Sequence, residues 1–559
     1  MPAPRRHPRQ EPPSIVLLRR LAALLCLALV AYGLWLRGGI SDARWLGLLG
    51  TAWLLLLVAL WPSLPESTPT FARTTIRTAV LIASVFVVLS VQLVRVQVLQ
   101  AGATVARVAR DPASGEVVAN PRFQIADLEA RRGRVFDRAG AVLADTVFEE
   151  NTAHRVYPEP ESAYVVGYFS PLLYGKDGLE AVYDAELAGS DGNNAVLRGL
   201  NDLLDRPPEG LDLHLTLDAD LQRAAHDLLA DRPGAAVLLD VETGAVLALA
   251  SNPHYDSNRL FTGGPAERED AVAYWQTLVD DPAAPLVLRA TDGLFTPGST
   301  FKVVSAAAAI DAGFADPERV YEDDGDLDVA GRVIVEQNRP DPTRDEWTLR
   351  EGLAWSLNVV FAQVGLQLGP GLMRDYAAAF GFGQEIPFDL PVPVSRLESA
   401  DGFLDAAPAL ADTAFGQGQL QATPLQMTLV AAAIANDGEV PRPRLVNRLA
   451  TQDGEVVERF EPETWRRAVD AEAAAQVASM MVTAVEGGIA QAATIPGVTV
   501  GGKTGTAEVG DGDPHAWFIG FAGDPEPRYA VAVVLEHGGA GMAGSLLFGR
   551  DLLAAALAE

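Results

Sequence analysis

Ser299 stands three residues before Lys302, in the string Ser299-Thr300-Phe301-Lys302. A serine hydroxyl is a weak nucleophile until a neighbouring base takes its proton, and a lysine can be that base once burial lowers its pKa. The chain has three lysines, Lys176, Lys302 and Lys503, against forty arginines. Arginine supplies charge without giving up its proton, so lysine kept in two such strings points to amine chemistry there. The second string is Lys503-Thr504-Gly505-Thr506. Its glycine is unfavourable inside a strand unless another backbone comes close, as an extended peptide laid along that strand would. The hydroxyls and Lys503 would then hold a carboxylate. Between the two lies Ser356-Leu357-Asn358, where Ser356 can relay a proton and Asn358 can donate to an amide. Each string alone has a plainer explanation, as chance spacing, a helix end or a strand-end turn. All three in this order form a recognised set for serine acyl transfer.

These side chains need elements to place them. Ser299 follows Thr296-Pro297-Gly298 and opens an alanine-rich helical stretch at 300–312. Helix starts carry unpaired N–H groups that favour negative charge, and Lys302 falls one turn on, over the same face. Thr348-Leu349-Arg350-Glu351 has the form of a capping box and opens a short helix ending near Trp355. Residues 211–217 alternate as a strand and lead into a helix over 220–230. Short apolar strands at 235–240 and 245–250 flank Val241-Glu242-Thr243-Gly244, a hairpin signal. Strands are also expected at 498–509, 516–522 and 529–536. Two strands early, three late and helices between them predict an α+β fold, with one antiparallel sheet and a separate helical layer.

The 559 residues carry a net charge of −30, unevenly spread. Residues 1–100 have ten basic and three acidic side chains, a net +7, which leaves −37 for the remainder. A basic head on an acidic body argues against nucleic-acid binding and suits a membrane anchor with a soluble body. Three apolar runs, at 21–36, 45–61 and 78–94, are each slightly short of the ~20 residues of a comfortable membrane span. Flanking arginine and tryptophan can extend them. Arg5, Arg6, Arg9, Arg19 and Arg20 predict a cytoplasmic N-terminus and an extracytoplasmic body. A cleaved first run would leave the body on the same side. The single cysteine, Cys26, excludes an intramolecular disulfide, and no Cys/His cluster has metal spacing, so no cofactor or metal is expected. Turn signals at Asp111-Pro112 and Asn120-Pro121 and a linker at Pro207-Pro208-Glu209-Gly210 divide the chain into 1–100, 101–210 and 211–559.

On these strings the chain resembles the penicillin-binding proteins, in particular monofunctional class B transpeptidases of the short-pedestal, PbpA-like type. The resemblance runs over about 130–555. It also rests on Arg132-Gly133-Arg134-Val135-Phe136-Asp137-Arg138-Ala139-Gly140, on 240–248, on Gly416-Gln417-Gly418 and on Thr423-Pro424-Leu425-Gln426. Three departures stand out: Leu288-Arg289-Ala290 replaces the family's Asn-Arg-Ala, a C-terminal glycine-rich string is blurred over 538–547, and three membrane runs replace one anchor. The resemblance implies a small pedestal or dimerisation-like domain at 101–210 and a penicillin-recognising domain, a sheet with a helical subdomain, beyond it. It implies that Ser299 attacks the penultimate D-Ala of a peptidoglycan stem peptide, with Lys302 as base. Backbone N–H groups of Ser299 and Thr506 would form the oxyanion hole, Ser356 would protonate the leaving D-Ala, and β-lactams would stay attached to Ser299. A glycosyltransferase of the RodA/FtsW type is the implied partner. The alternatives are a D,D-carboxypeptidase or β-lactamase, which pass the acyl group to water, and a membrane-bound β-lactam sensor. No His-Glu-x-x-His string of a sensor's zinc protease occurs.

Other residues read more plainly. Trp517 and Phe518 are expected in the core and His515 at the surface or in a turn. Lys176 is expected in a solvated turn, and Cys26 as packing within an apolar helix.

Overall fold

The computed structural model describes residues 12–36, 41–65, 67–96, 109–110, 117–118, 131–149, 152–189, 209–230, 232–262, 265–510, 512–539 and 544–558. Arg5, Arg6 and Arg9, the turns at Asp111-Pro112 and Asn120-Pro121, and Pro207-Pro208 lie outside the described residues, as does part of 538–547. The chain forms two compact units, Met1–Ala126 and Asp127–Glu559.

The first unit holds helices α1 (Pro13–Trp35), α2 (Asp42–Leu60) and α3 (Thr70–Val94). Their lengths of 23, 19 and 25 residues exceed all three expected runs, because flanking polar residues join the helices: Arg19 and Arg20 lie inside α1, Asp42 and Arg44 inside α2, and Arg73 and Arg77 inside α3. All three are long and apolar enough to cross a membrane, with mean hydropathies of 2.2, 1.8 and 2.1. Polar contacts join α2 to α3. The Trp53 indole donates to the Ser84 hydroxyl at 3.0 Å, and Arg95 pairs with Asp42 at 3.1 Å. Cys26 is buried among the helices.

The second unit begins with strands β1 (Val135–Phe136), β2 (Val142–Glu149), β3 (Thr152–Val156) and β4 (Asp212–Leu215). Helix α4 (Ala219–Leu229) then leads to the hairpin of β5 (Gly234–Asp240) and β6 (Val246–Asn252). A 3-10 turn at Gly298–Phe301 runs into α5 (Lys302–Asp311). A small hairpin, β7 (Asp326–Val329) and β8 (Arg332–Val335), precedes α6 (Leu349–Ala354), α7 (Asn358–Ala379), α8 (Ala407–Ala414) and α9 (Pro424–Ala435). Hairpin β9 (Val446–Ala450) and β10 (Val456–Arg459) and helix α10 (Ala471–Gly487) follow. The chain closes with β11 (Thr499–Ala507), β12 (His515–Gly523), β13 (Tyr529–Leu535) and α11 (Ser545–Ala558).

The main sheet is antiparallel, in the order β6-β5-β13-β12-β11. Its expected composition, two early strands and three late ones, is what the structure shows. Side chains alternate across it with the period of two that a pleated strand imposes. Ala235, Val237 and Leu239, with Trp517 and Ile519, join one core with α5, α7 and α9. Ala236 and Leu238, with Phe518, face the other way onto α4 and α11. Helix α9 is buried nearly all round, as suits a helix apolar on every face. Thr423 caps it by accepting the Gln426 N–H at 3.1 Å, and Pro424 occupies its first turn.

A second sheet, in the order β10-β9-β4-β1-β2-β3, carries strands from both sides of residue 210. The Arg132–Gly140 string fastens it. Arg134 forks onto Asp212 at 2.6 Å, Arg138 pairs with Asp218 at 2.6 Å, and Asp137 accepts the Ala139 and Ala141 N–H groups. Arg132 and Arg155, both buried, bracket the fully buried Glu180 at 2.8 and 2.6 Å. This pairing holds the Glu180 carboxyl below its ordinary pKa against the opposing effect of burial. Lys176 departs from the expected solvated turn: it is half-buried, pairs with Asp184 at 2.8 Å and lies over the Phe169 ring.

Candidate active site

Ser299 lies on the 3-10 turn rather than in the α-helix proper. The change tightens the expected geometry, because residues three apart eclipse in a 3-10 turn and set Lys302 over Ser299. Three glycines make the turn possible. Gly298 has a φ of +55°, and a Cβ there would come within 2.5 Å of the Thr506 carbonyl oxygen. Gly416, at φ +91°, passes so close that a Cβ would lie 1.7 Å from the Gly298 oxygen. Gly505 abuts the Pro297 carbonyl, where a Cβ would come within 2.8 Å. The close approach that Gly505 allows is therefore to the nucleophile's own turn. The Gly298 N–H donates to the Gly416 carbonyl at 3.0 Å, and the Gln417 amide to the Thr506 carbonyl at 3.4 Å. Three segments distant in sequence thus close on one another around Ser299.

Lys302 is fully buried. Its Nζ reaches the Ser356 carbonyl at 2.6 Å, the Asn358 Oδ1 at 2.8 Å and the Ser356 Oγ at 3.3 Å. Among the described residues no hydrogen bond joins it to Ser299. Burial pushes its pKa down to about 7, with the Glu336 carboxylate acting weakly the other way. A neutral amine has two N–H bonds to donate. It can give them to the Ser356 carbonyl and the Asn358 Oδ1, which leaves its lone pair for a hydroxyl.

The expected capping box is present: Thr348 accepts the Glu351 N–H at 3.2 Å while Glu351 accepts the Thr348 N–H at 2.9 Å. Helix α6 therefore ends at a fixed place, and Ser356 follows it with a φ of +64°, rare for a side-chain-bearing residue. Asn358 does not close that helix but begins α7. Its Oδ1 is taken by Lys302, so its NH2 end is the one available to a substrate carbonyl.

Lys503 and Thr504 are buried on β11, the edge strand of the main sheet, and Thr506 is exposed on it. An edge strand presents unpaired backbone groups to an incoming peptide. Lys503 Nζ donates to the Thr504 carbonyl at 2.9 Å, and burial first, then repulsion by Lys302, holds its pKa well below the ordinary lysine value. Ser299, Ser356, Asn358, Thr504 and Thr506 all line one groove of about 680 Å³.

Some participants carried no sequence signal. Glu336 accepts the Val359 N–H at 3.0 Å at the start of α7 and the Gln337 N–H at 2.9 Å, and it faces Lys302 electrostatically. Asn338 and the β7–β8 hairpin form one wall of the groove. Gly416 and Gln417 stood in a noticed string whose place only the fold reveals. Trp517 is buried as expected and donates to the Thr296 carbonyl at 3.0 Å, so it braces the approach to Ser299. His515, expected at the surface or in a turn, is instead buried at the start of β12 and meets Phe295 edge-on, with ring centroids 5.4 Å apart.

The penicillin-binding protein transpeptidase domain model matches residues 234–550, and the penicillin-binding protein A dimerisation domain model matches 132–213. The chain belongs to the penicillin-binding transpeptidases. Among relatives of this family, the peptidoglycan D,D-transpeptidase PbpA of Mycolicibacterium smegmatis is 36% identical over 490 residues, 84% of this chain and 97% of that protein. The PbpA of Mycobacterium tuberculosis is 36% identical over 433 residues, 75% of this chain and 86% of that one. The solved structure of M. tuberculosis penicillin-binding protein A as a ceftriaxone acyl-enzyme superposes with a TM-score of 0.71 at 34% identity, over 77% of this chain and 99% of that one. Its penicillin G acyl-enzyme gives 0.69 at 35%, over 77% and 100%.

Proposed function

We infer that this chain is a peptidoglycan D,D-transpeptidase that works through an acyl-enzyme on Ser299. The observation that carries the assignment is Lys302: buried, with a pKa near 7, on the turn that bears Ser299 and in hydrogen-bond contact with Ser356 and Asn358. Neutral Lys302 takes the Ser299 Oγ proton as Oγ attacks the carbonyl of the penultimate D-Ala. The oxyanion is held by the Ser299 and Thr506 N–H groups. The peptide C–N bond then breaks, and Ser356, relaying from Lys302, protonates the departing D-Ala amine. An amine of a second stem peptide attacks the Ser299 ester, forms the crosslink and frees the serine. Asn358 donates to the donor peptide, while Thr504 and Thr506 position it along the Lys503–Thr506 edge. Lys503 receives the terminal carboxylate. Burial holds the Lys503 pKa low, and a carboxylate entering beside it acts in the opposite direction.

Residues 101–210 act as the pedestal and 211–559 as the catalytic part. The three apolar helices anchor the chain in the cytoplasmic membrane, with the N-terminus inside and the catalytic part outside. The basic head and acidic body support this orientation. With residues 101–210 too short for a glycan-polymerising domain, a glycosyltransferase of the RodA/FtsW type is the partner expected to supply new strands.

Fluorescent penicillin should label the full chain in membranes, and Ser299→Ala should abolish labelling with the thermal midpoint retained. Lys302→Arg keeps the charge but loses the base, so acylation should fall by roughly two to four orders of magnitude. Undiminished labelling of Ser299→Ala would remove the assignment.

A further inference from the structure

Two histidines close the corner behind the nucleophile's turn, and the chemistry above uses neither. His515 opens β12, and His537 follows β13. The His537 backbone N–H donates to the His515 Nδ1 at 3.1 Å, and the two ring centroids lie 5.1 Å apart. His537 holds this pose at a φ of +48°, a costly conformation for a residue with a side chain. Its own Nδ1–H donates to the Asp513 carbonyl at 2.9 Å, and the Gly539 N–H to the Pro514 carbonyl at 3.0 Å. The chain after β13 therefore clasps the turn between β11 and β12. Because the His515 Nδ1 accepts, its neutral ring carries the proton on Nε2.

From His515 a line of rings leads to Ser299. Phe295 meets His515 edge-on at 5.4 Å and Trp517 at 6.1 Å. The Phe295 N–H donates to the Ala422 carbonyl at 3.0 Å, and the Ala422 N–H returns a bond to the Phe295 carbonyl at 2.8 Å. Next in the chain, the Thr296 carbonyl accepts the Trp517 indole N–H at 3.0 Å, and Ser299 stands three residues on. His515 and Trp517 are both buried, two apart on β12 and so on one side of it. Both press on the segment that delivers the nucleophile.

We propose that His515 is a positioning residue for Ser299 and serves only as the neutral imidazole. This rests on the transpeptidase reading and adds a second proton requirement to it. With Nδ1 free to accept, His515 ties the end of β13 to the start of β12 and fixes Phe295, and with it the 295–299 segment. A proton on Nδ1 removes the acceptor and sets one N–H against another. The groups that face His515 are the His537 ring and the Glu536 carboxylate, the latter paired with Arg289 at 2.6 Å. Burial, then His537, oppose a charge on His515, and Glu536 favours it only in part, so its pKa lies below the ordinary 6.5. Acid therefore slackens the nucleophile's turn after it has already protonated Lys302.

The test follows penicillin acylation of the full chain in detergent across about pH 5 to 8, separating the saturating rate from the initial affinity. In the parent, the logarithm of the rate should climb with a slope of about one just below pH 7 and about two in stronger acid. His515→Leu, which cannot accept, should lower the saturating rate about tenfold or more with the affinity nearly unchanged. His515→Asn presents Oδ1 where Nδ1 stood and does not titrate. It should recover most of that loss and keep a slope of about one throughout the acid range. Thermal unfolding shows which variants are folded, and the acid slope of His515→Asn decides even where His515→Leu is not. A single slope in the parent, a second slope that persists in His515→Asn, or a His515→Leu loss that lies in affinity overturns the proposal. A parent that is not acylated at any pH overturns the transpeptidase reading beneath it.

Discussion

Lys302 donates to the Ser356 carbonyl at 2.6 Å, and Ser356 offers that carbonyl from a left-handed backbone, at φ +64°. The contact suits both charge states of the amine, because a carbonyl accepts from NH3+ and NH2 alike. It fixes Lys302 while its proton comes and goes. Ser356 thus contributes its backbone to the base and its hydroxyl to the relay.

That double role predicts a separation of effects. Glycine tolerates positive φ at little cost, whereas alanine does not. Ser356→Gly should therefore be more stable than Ser356→Ala by about 1 kcal/mol in urea unfolding. Both should slow acylation, since both lack the hydroxyl. Equal stability of the two would mean the left-handed turn is not strained.

The depressed pKa of Lys302 predicts how both rate and stability depend on pH. Acylation by penicillin should rise with pH and level off above about 7, as Lys302 becomes neutral. Between about 7 and its ordinary value of 10.5, Lys302 is neutral when folded and protonated when unfolded. The unfolded chain then binds the extra proton, so this group's contribution to stability grows as pH rises through that window, by about 1.4 kcal/mol per pH unit. Lys302→Met should be inactive, and its stability relative to the parent should fall across the same window. Parallel pH–stability curves would show that Lys302 does not titrate there.

Glu336 is expected to tune this base without touching substrate. Its carboxylate raises the Lys302 pKa, opposing burial. Glu336→Gln should move the rising limb of the acylation profile to lower pH, while the new side-chain amide oxygen still accepts the α7 N–H. A limb that stays in place would assign Glu336 a purely structural part.

Gly416 makes no contact with substrate in this scheme, yet it should be essential. A Cβ at φ +91° would press on the Gly298 oxygen. Gly416→Ala should lower acylation at least tenfold and destabilise the fold by ~1–3 kcal/mol, the cost of strain at a special backbone position. Penicillin labelling and thermal unfolding read the two effects separately.

Much of this was legible in the chain. The five strands of the main sheet fall within two or three residues of where apolar runs end at turn signals. The capping box at Thr348 placed Ser356 because it depends on four consecutive residues. What escaped depends on distant partners. The strand Val456–Arg459 is exposed throughout and has no alternation to reveal it, and it is a strand because β9 lies beside it. His515 sits next to polar turn residues, but pairing with Ala507 draws it under cover. Lys176 looked solvated between two glycines until Asp184 and Phe169 closed on it. Glu336 gained its role only from folding around a lysine distant in the chain.

β13 is the last strand to be synthesised, yet it lies in the middle of the main sheet, between β5 and β12. Until it is inserted, β11 and β12 have no strand pairing with the β5–β6 hairpin, and the sheet that backs Thr506 beside Ser299 is incomplete. A chain still being synthesised therefore displays its serine well before it possesses an enzyme. An antibiotic present at that moment meets an inert hydroxyl, and sensitivity begins only when β13 is in place. Insertion of β13, and not synthesis of the nucleophile, starts the clock for both wall synthesis and inhibition.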